Sequence, residues 1–100
     1  MDHIDLLKGV FRIREGIVSR KIAGETILVP VMGKLADMQR IFTLNSVGEF
    51  IWSKLDGKRG LREISREIVS SFEVEQQQAD AEMEEFIAEL LKEDLIETVN

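Results

Sequence analysis

Residues 40–57, Arg-Ile-Phe-Thr-Leu-Asn-Ser-Val-Gly-Glu-Phe-Ile-Trp-Ser-Lys-Leu-Asp-Gly, change their hydrophobic period partway along. Arg40-Ile41-Phe42-Thr43-Leu44 reads as a strand, rich in β-branched and aromatic residues. From Asn45 the period becomes helical, with Val47, Phe50, Ile51 and Leu55 falling on one stripe. Ser46-Val47-Gly48-Glu49 fits a capping box, in which the serine oxygen takes an orphan amide and the glutamate reaches back. Asp56-Gly57 is read as the end of that helix, because glycine commonly follows a helix terminus. A strand that passes directly into a helix, with no linker, makes the chain a mixture of sheet and helix.

Upstream, Val18–Ile22 and Thr26–Val31 are two strands separated by Ala23-Gly24-Glu25, which is a hairpin signature. Pro30 donates no ladder hydrogen bond and belongs at a strand end or an outward position. Val10–Arg14 also alternates and is read as a further strand or an ordered arm. Downstream, Leu61, Ile64, Ile68 and Phe72 define a helix over 61–72, with Gly60 at its cap position and Glu63 in its first turn. A longer helix runs from about Gln76 to Glu93, with Ala79, Met83, Phe86 and Leu90 as its stripe and Ile87 and Leu91 beside it. Ile96–Val99 can close the chain as a short strand. The expectation is an α+β, winged-helix-like domain over residues 1–100: an N-terminal three-stranded antiparallel sheet, then three α-helices. Leu44, Ile51, Leu55, Ile64, Ile68, Phe86 and Leu90 are the expected core, with Trp52 in or at the edge of it.

Composition narrows the function. At 100 residues, 44% apolar and 32% charged, with one proline, the chain suits a single globular unit and lacks the pattern of a disordered one. Its longest apolar stretch, Ile27–Met32, falls far short of the roughly 20 residues a spanning helix needs. The opening residues Met1-Asp2-His3-Ile4-Asp5 carry acids where a secretory signal carries bases, so a cytoplasmic location is the default expectation. The absence of cysteine excludes disulfides, thiolate metal sites, iron–sulfur clusters and thiol nucleophiles. The chain has no tyrosine, and its one histidine, His3, lies near the terminus, so acid–base catalysis has almost nothing to draw on. Neither a dinucleotide fingerprint nor a phosphate loop nor a calcium loop is present, and no cofactor is expected.

Charge is unevenly placed. Residues 1–72 hold 12 Lys/Arg against 9 Asp/Glu, whereas residues 73–100 hold 1 against 10. Glu82, Glu85 and Glu89 recur at i, i+3 and i+7 on the last helix, with Asp80 and Glu84 alongside. Such a row suits a solvated face, a hard cation or a basic partner segment, though a cation cage usually draws oxygens from a shaped loop as well. Lys58, Arg59, Arg62 and Arg66 form the most basic stretch, with the three arginines read as one face of the second helix. A winged-helix DNA-binding regulator is therefore the alternative reading, opposed by the acidic helix that would have to enter the groove of the duplex. Apolar residues between the last helix and the unpaired edge of the third strand would instead suit capture of an extended peptide.

Taken together, Ile22-Ala23-Gly24-Glu25, Leu28-Val29-Pro30-Val31, Leu44-Asn45 with Gly48, Ile51-Trp52, Leu55-Asp56-Gly57, Glu63-Ile64, and Leu90 with Leu95-Ile96-Glu97 stand in a characteristic order and spacing. Over about residues 17–97 the sequence resembles the PqqD-like family, the coenzyme PQQ synthesis protein D group. The resemblance implies a precursor-peptide recognition element: a non-enzymatic peptide chaperone that binds the leader of a ribosomally synthesised precursor by strand addition. It delivers that leader to a modifying enzyme, often a radical SAM protein, in the biosynthesis of PQQ or of other modified peptides. By that resemblance the peptide-binding residues are Ile41, Phe42 and Thr43 on the strand and Asp80, Met83, Glu84 and Ile87 on the helix. Two positions depart from the family pattern: Gly60 stands where Thr or Ser is usual at the second cap, and Glu75 where an Asp cap is usual before the third helix.

Overall fold

One tight reversal begins the first sheet in the computed structural model, which describes residues 6–31 and 41–99. After a 3-10 turn at Leu6–Lys8 come β1 (Val10–Ile13), β2 (Ile17–Ile22) and β3 (Glu25–Pro30). Then follow β4 (Phe42–Leu44), α1 (Ser46–Lys54), β5 (Asp56–Gly60), α2 (Leu61–Phe72), α3 (Gln76–Lys92) and β6 (Ile96–Thr98). Ile22 pairs with Glu25, so the hairpin loop is Ala23-Gly24, with both φ angles positive at 53° and 83°. That geometry matches the right-handed twist of the strands it joins, and Gly24 adopts it without steric cost.

The expected architecture is present: the antiparallel sheet β2-β3-β4 precedes the helices. A second antiparallel sheet, in the order β5-β1-β6, was not expected. Its β1 and β6 correspond to the two segments left open as short strands, whereas β5 replaces the helix stop read at Asp56-Gly57. Asp-Gly-Lys-Arg-Gly has poor strand propensity. Pairing with β1 supplies what the residues lack, through Val10↔Gly60 and Arg12↔Asp56 with an irregularity between them. Gly57 takes a φ of 79°, and the Asp56 carboxylate accepts from the amides of Lys58 and Arg59 at 2.8 and 3.0 Å. Those amide bonds hold the Asp56 carboxyl below its ordinary pKa.

The start of α1 also differs from the capping-box expectation. Asn45, not Ser46, is the N-cap: its Oδ1 accepts from the Gly48 amide at 2.7 Å. Glu49 turns away from the helix start and accepts instead from the Thr26 hydroxyl of β3, with the Lys21 ammonium 3.3 Å away. This ties α1 to the β2-β3 hairpin. The helix over 61–72 stands as expected, with Gly60 as its N-cap and no side-chain hydrogen bond there. The last helix has Glu75 as its N-cap, likewise without a side-chain bond, and ends one residue before the expected Glu93.

One apolar cluster lies between the sheets and helices. Leu28 and Leu44 enter it from the first sheet, Phe11 and Ile96 from the second, and Ile51, Trp52 and Leu55 from α1 or its end. Leu61, Ile64 and Ile68 of α2 and Ala79, Met83, Ile87 and Leu90 of α3 complete it. Pro30 ends β3 as expected, with its ring turned inward. The expected core residues are buried with one exception, Phe86, which is only partly covered. The stripe on α3 passes through Ile87 rather than Phe86, a rotation of one residue that decides the character of the neighbouring surface.

Candidate functional site

β4 is held on one side only. It pairs with β3 through Thr26↔Leu44, Ile27↔Thr43 and Leu28↔Phe42, and its other edge pairs with no described strand. An edge of this kind presents unpaired N–H and C=O groups in a row. Along β4, Leu44 is buried and Phe42 half-buried, while Thr43 points outward; Ile41, just before the strand, is 66% exposed.

Two adjoining depressions run along α3, one facing the edge of β4 and the other facing the first turns of α1. One, of about 300 Å³, is lined by Ile41, Phe42, Thr43, Leu44, Asn45, Phe86 and Glu89. The other, of about 270 Å³, is lined by Asn45, Val47, Gly48, Ile51, Glu82, Glu85, Phe86 and Glu89. They share Asn45, Phe86 and Glu89, so together they make one groove along α3, faced by β4 beside Phe86 and Glu89 and by the first turns of α1 beside Glu82 and Glu85. Phe86 stands at its middle. Its ring meets that of Phe42 edge-on, with centroids 6.4 Å apart and planes at 65°. Gly48 lets the ring settle against α1, because a Cβ there would come within 3.2 Å of Phe86 Cε1 and 3.3 Å of Asn45 Oδ1.

The helical wall is acidic. Glu82 accepts from the Gln78 side chain at 2.9 Å, and the carboxylates of Glu85 and Glu89 meet no cation among the described residues. Nor do any three acidic or histidine side chains converge, among the described residues, closely enough to hold a metal ion. The arginine face expected on α2 keeps Arg62 and Arg66 but loses Arg59. Arg59 belongs to β5, where it lies 3.7 Å from Asp56 and 4.0 Å from Glu67 of α2.

The strand residues Ile41, Phe42 and Thr43 all line the groove; the helix residues chosen with them do not. Met83 and Ile87 are fully buried, with no surface left for a ligand, and belong to the core. Asp80 accepts from the hydroxyl of buried Ser65 and from Gln76, which ties α3 to α2. Asp80 and Glu84 flank Glu82 by two positions each, and at about 100° per residue both sit about 160° around the helix from it. The groove wall is therefore Glu82, Glu85, Phe86 and Glu89 in place of Asp80, Met83, Glu84 and Ile87. The spacing of Ala79, Met83, Ile87 and Leu90 carried the signal: once Ile87 takes the stripe, Phe86 is turned to its edge.

Among curated proteins none matches the chain. Two solved structures share its fold. TbiB1 in complex with the TbiA(beta) leader peptide is 26% identical, with a TM-score of 0.70, over 86% of this chain and 94% of that one. A lasso peptide synthetase B1 complexed with the leader peptide is 17% identical, with a TM-score of 0.72, over 87% of this chain and 96% of that one; at that identity the likeness is one of fold. The family model of coenzyme PQQ synthesis protein D matches residues 25–96, from β3 through all three helices to the first residue of β6, and the chain belongs to that family.

Proposed function

We propose that this protein binds the leader segment of a ribosomally made precursor peptide as an added strand on β4 and presents it to a separate modifying enzyme. The observation that carries the reading is the unpaired edge of β4 beside a groove with Phe86 at its centre. An added strand gains affinity from main-chain hydrogen bonds along Ile41–Leu44, while the groove receives alternate side chains and supplies selectivity. TbiB1, which shares the fold over nearly its whole length and was solved in complex with a leader peptide, supports leader binding as the role of this domain. The groove is lined by carboxylates, one amide, the Thr43 hydroxyl and apolar groups, a lining that suits recognition of a peptide. The modification then belongs to the partner, with a radical SAM enzyme the first candidate, and both act in the cytoplasm where the precursor is made. No helix among the described residues is long and apolar enough to cross a membrane.

The test is titration of the ¹⁵N-labelled protein with the leader of the precursor encoded beside its gene. Amide shifts should concentrate at Ile41–Leu44, Gly48 and Glu82–Glu89. Shifts confined to β5 and the exposed side of α2, around Arg59–Arg66, would remove the groove from consideration.

A further inference from the structure

We infer that the groove selects an extended segment carrying an apolar side chain against Phe86 and a Lys or Arg two positions from it, facing the carboxylates of Glu82, Glu85 and Glu89. The inference rests on the strand-addition reading above and names the chemistry of the leader it takes.

Strand geometry fixes which residues of the added segment matter. Side chains alternate across a strand, so those in line with the inward-facing Phe42 and Leu44 point at α3 and recur about every 6.6–6.8 Å. From Glu82 to Glu89 the helix rises about 10.5 Å at 1.5 Å per residue. A segment that continues from the depression beside β4 into the one between α1 and α3 therefore carries two or three inward-facing positions past this wall. Phe86 stands one turn from Glu82 and about one turn from Glu89, so the apolar contact is flanked by carboxylates along the axis.

Charge decides what accompanies the apolar residue. Four carboxylates elsewhere on the described surface meet cations: Glu97 meets Arg12, Glu49 meets Lys21, Glu67 meets Lys54, and Asp56 meets Arg59. In the groove only Glu82 has a side-chain partner, the neutral amide of Gln78. An acidic segment would enter against repulsion, and a neutral one would cover the carboxylates without compensating them. Lys and Arg reach outward from an apolar stem, so a basic residue can cover the edge of the Phe42–Phe86 pair and still place its charge on a carboxylate.

The inference is tested with two synthetic dodecapeptides of alternating Thr and apolar residues. One carries Lys two positions to either side of a central Leu, and its twin carries Gln at those places. Amide shifts of Phe42–Leu44 are followed at 0.05 and 0.5 M salt in the wild type and in the triple variant Glu82→Gln, Glu85→Gln, Glu89→Gln. The Lys peptide should bind about tenfold more tightly at low salt, and the advantage should shrink at high salt, as partly exposed ion pairs do. In the triple variant the two peptides should bind alike; the salt comparison in wild type stands even if that variant folds poorly. Equal binding of the twins to wild type, a preference that survives the triple variant, or binding by neither peptide would each overturn the inference. The strand-addition reading falls only if the natural leader also leaves Phe42–Leu44 unmoved.

Discussion

Phe86 and Ile87 are neighbours on α3 with opposite expected effects, and replacing each by alanine separates stability from binding. Ile87 is fully buried, so Ile87→Ala leaves a cavity enclosed by the core and should cost about 2–5 kcal/mol of folding stability. Phe86 is partly covered and borders open groove, so solvent reaches the space left by Phe86→Ala. What folding loses there is chiefly the edge contact with Phe42, worth about 0.5–1.5 kcal/mol, and part of the ring's burial, so a total of about 1–2 kcal/mol is expected. Binding should reverse the order. A leader side chain seated on Phe86 makes it a central anchor, and its truncation should cost about 2 kcal/mol, or roughly thirtyfold in Kd. Ile87→Ala, provided the domain remains mostly folded at low temperature, should change Kd by less than about threefold. Urea denaturation gives the stabilities, with an unchanged m-value confirming that only stability has moved. Peptide titration gives the affinities. If Ile87→Ala costs less than about 1 kcal/mol, or if Phe86→Ala binds leader within twofold of wild type, the assignment of one residue to the core and the other to the groove is wrong.

Gly48→Ala should gain up to about 1 kcal/mol of helix propensity but crowd the Phe86 ring at 3.2 Å, and the ring can yield only into the groove. The melting temperature should therefore stay near that of wild type while leader affinity falls, and unchanged affinity would show that the ring position is immaterial. The Thr26 hydroxyl and then Lys21 hold the Glu49 carboxyl below its ordinary value of 4.5, so its tie between β3 and α1 is fully present at neutral pH. That stability is lost as pH falls from 4.5 through the depressed value of the folded protein. Glu49→Gln should accordingly flatten the acid limb of a thermal-stability profile, and an acid limb as steep as that of wild type would refute the role.

The parts of this fold legible in sequence are those where local chemistry and tertiary packing agree. Ala23-Gly24 has the residues a tight hairpin asks for, and α2 repeats its apolar residues so regularly that both of its ends could be read correctly. β5 was hidden because its residues do not want to be a strand. Asp56-Gly57 has the appearance of a helix stop, and only pairing with β1, forty-odd residues earlier in the chain, turns it into the edge of a second sheet. The N-cap of α1 was misplaced for a related reason. Ser46 and Glu49 have capping-box spacing, but Thr26 and Lys21 offer Glu49 a charge-assisted alternative that lies far away in sequence.

Sequence pointed to two of the elements that wall this groove, and of the residues chosen on them the strand half lines it and the helix half does not. The strand half was readable because a short edge strand has only two faces, so Phe42 and Thr43 had to divide between inside and outside. A helix offers finer choices, and α3 is apolar around more of its circumference than its core contact requires: Phe86, Ile87 and Leu91 all lie near the stripe. Which of them is buried depends on how far the helix is rolled against its neighbours. Two contacts bear on that roll. Asp80 is drawn to Ser65 and Gln76 on the α2 side, and Phe86 is admitted against α1 because Gly48 has no side chain. Together they leave Ile87 facing the core and turn Phe86 and Glu89 toward β4, with Glu82 and Glu85 beside the start of α1. The acidic row read as a solvated face is thus also the wall of the groove, and the same rotation that removes Met83 and Ile87 from the surface is what gives that groove its charge.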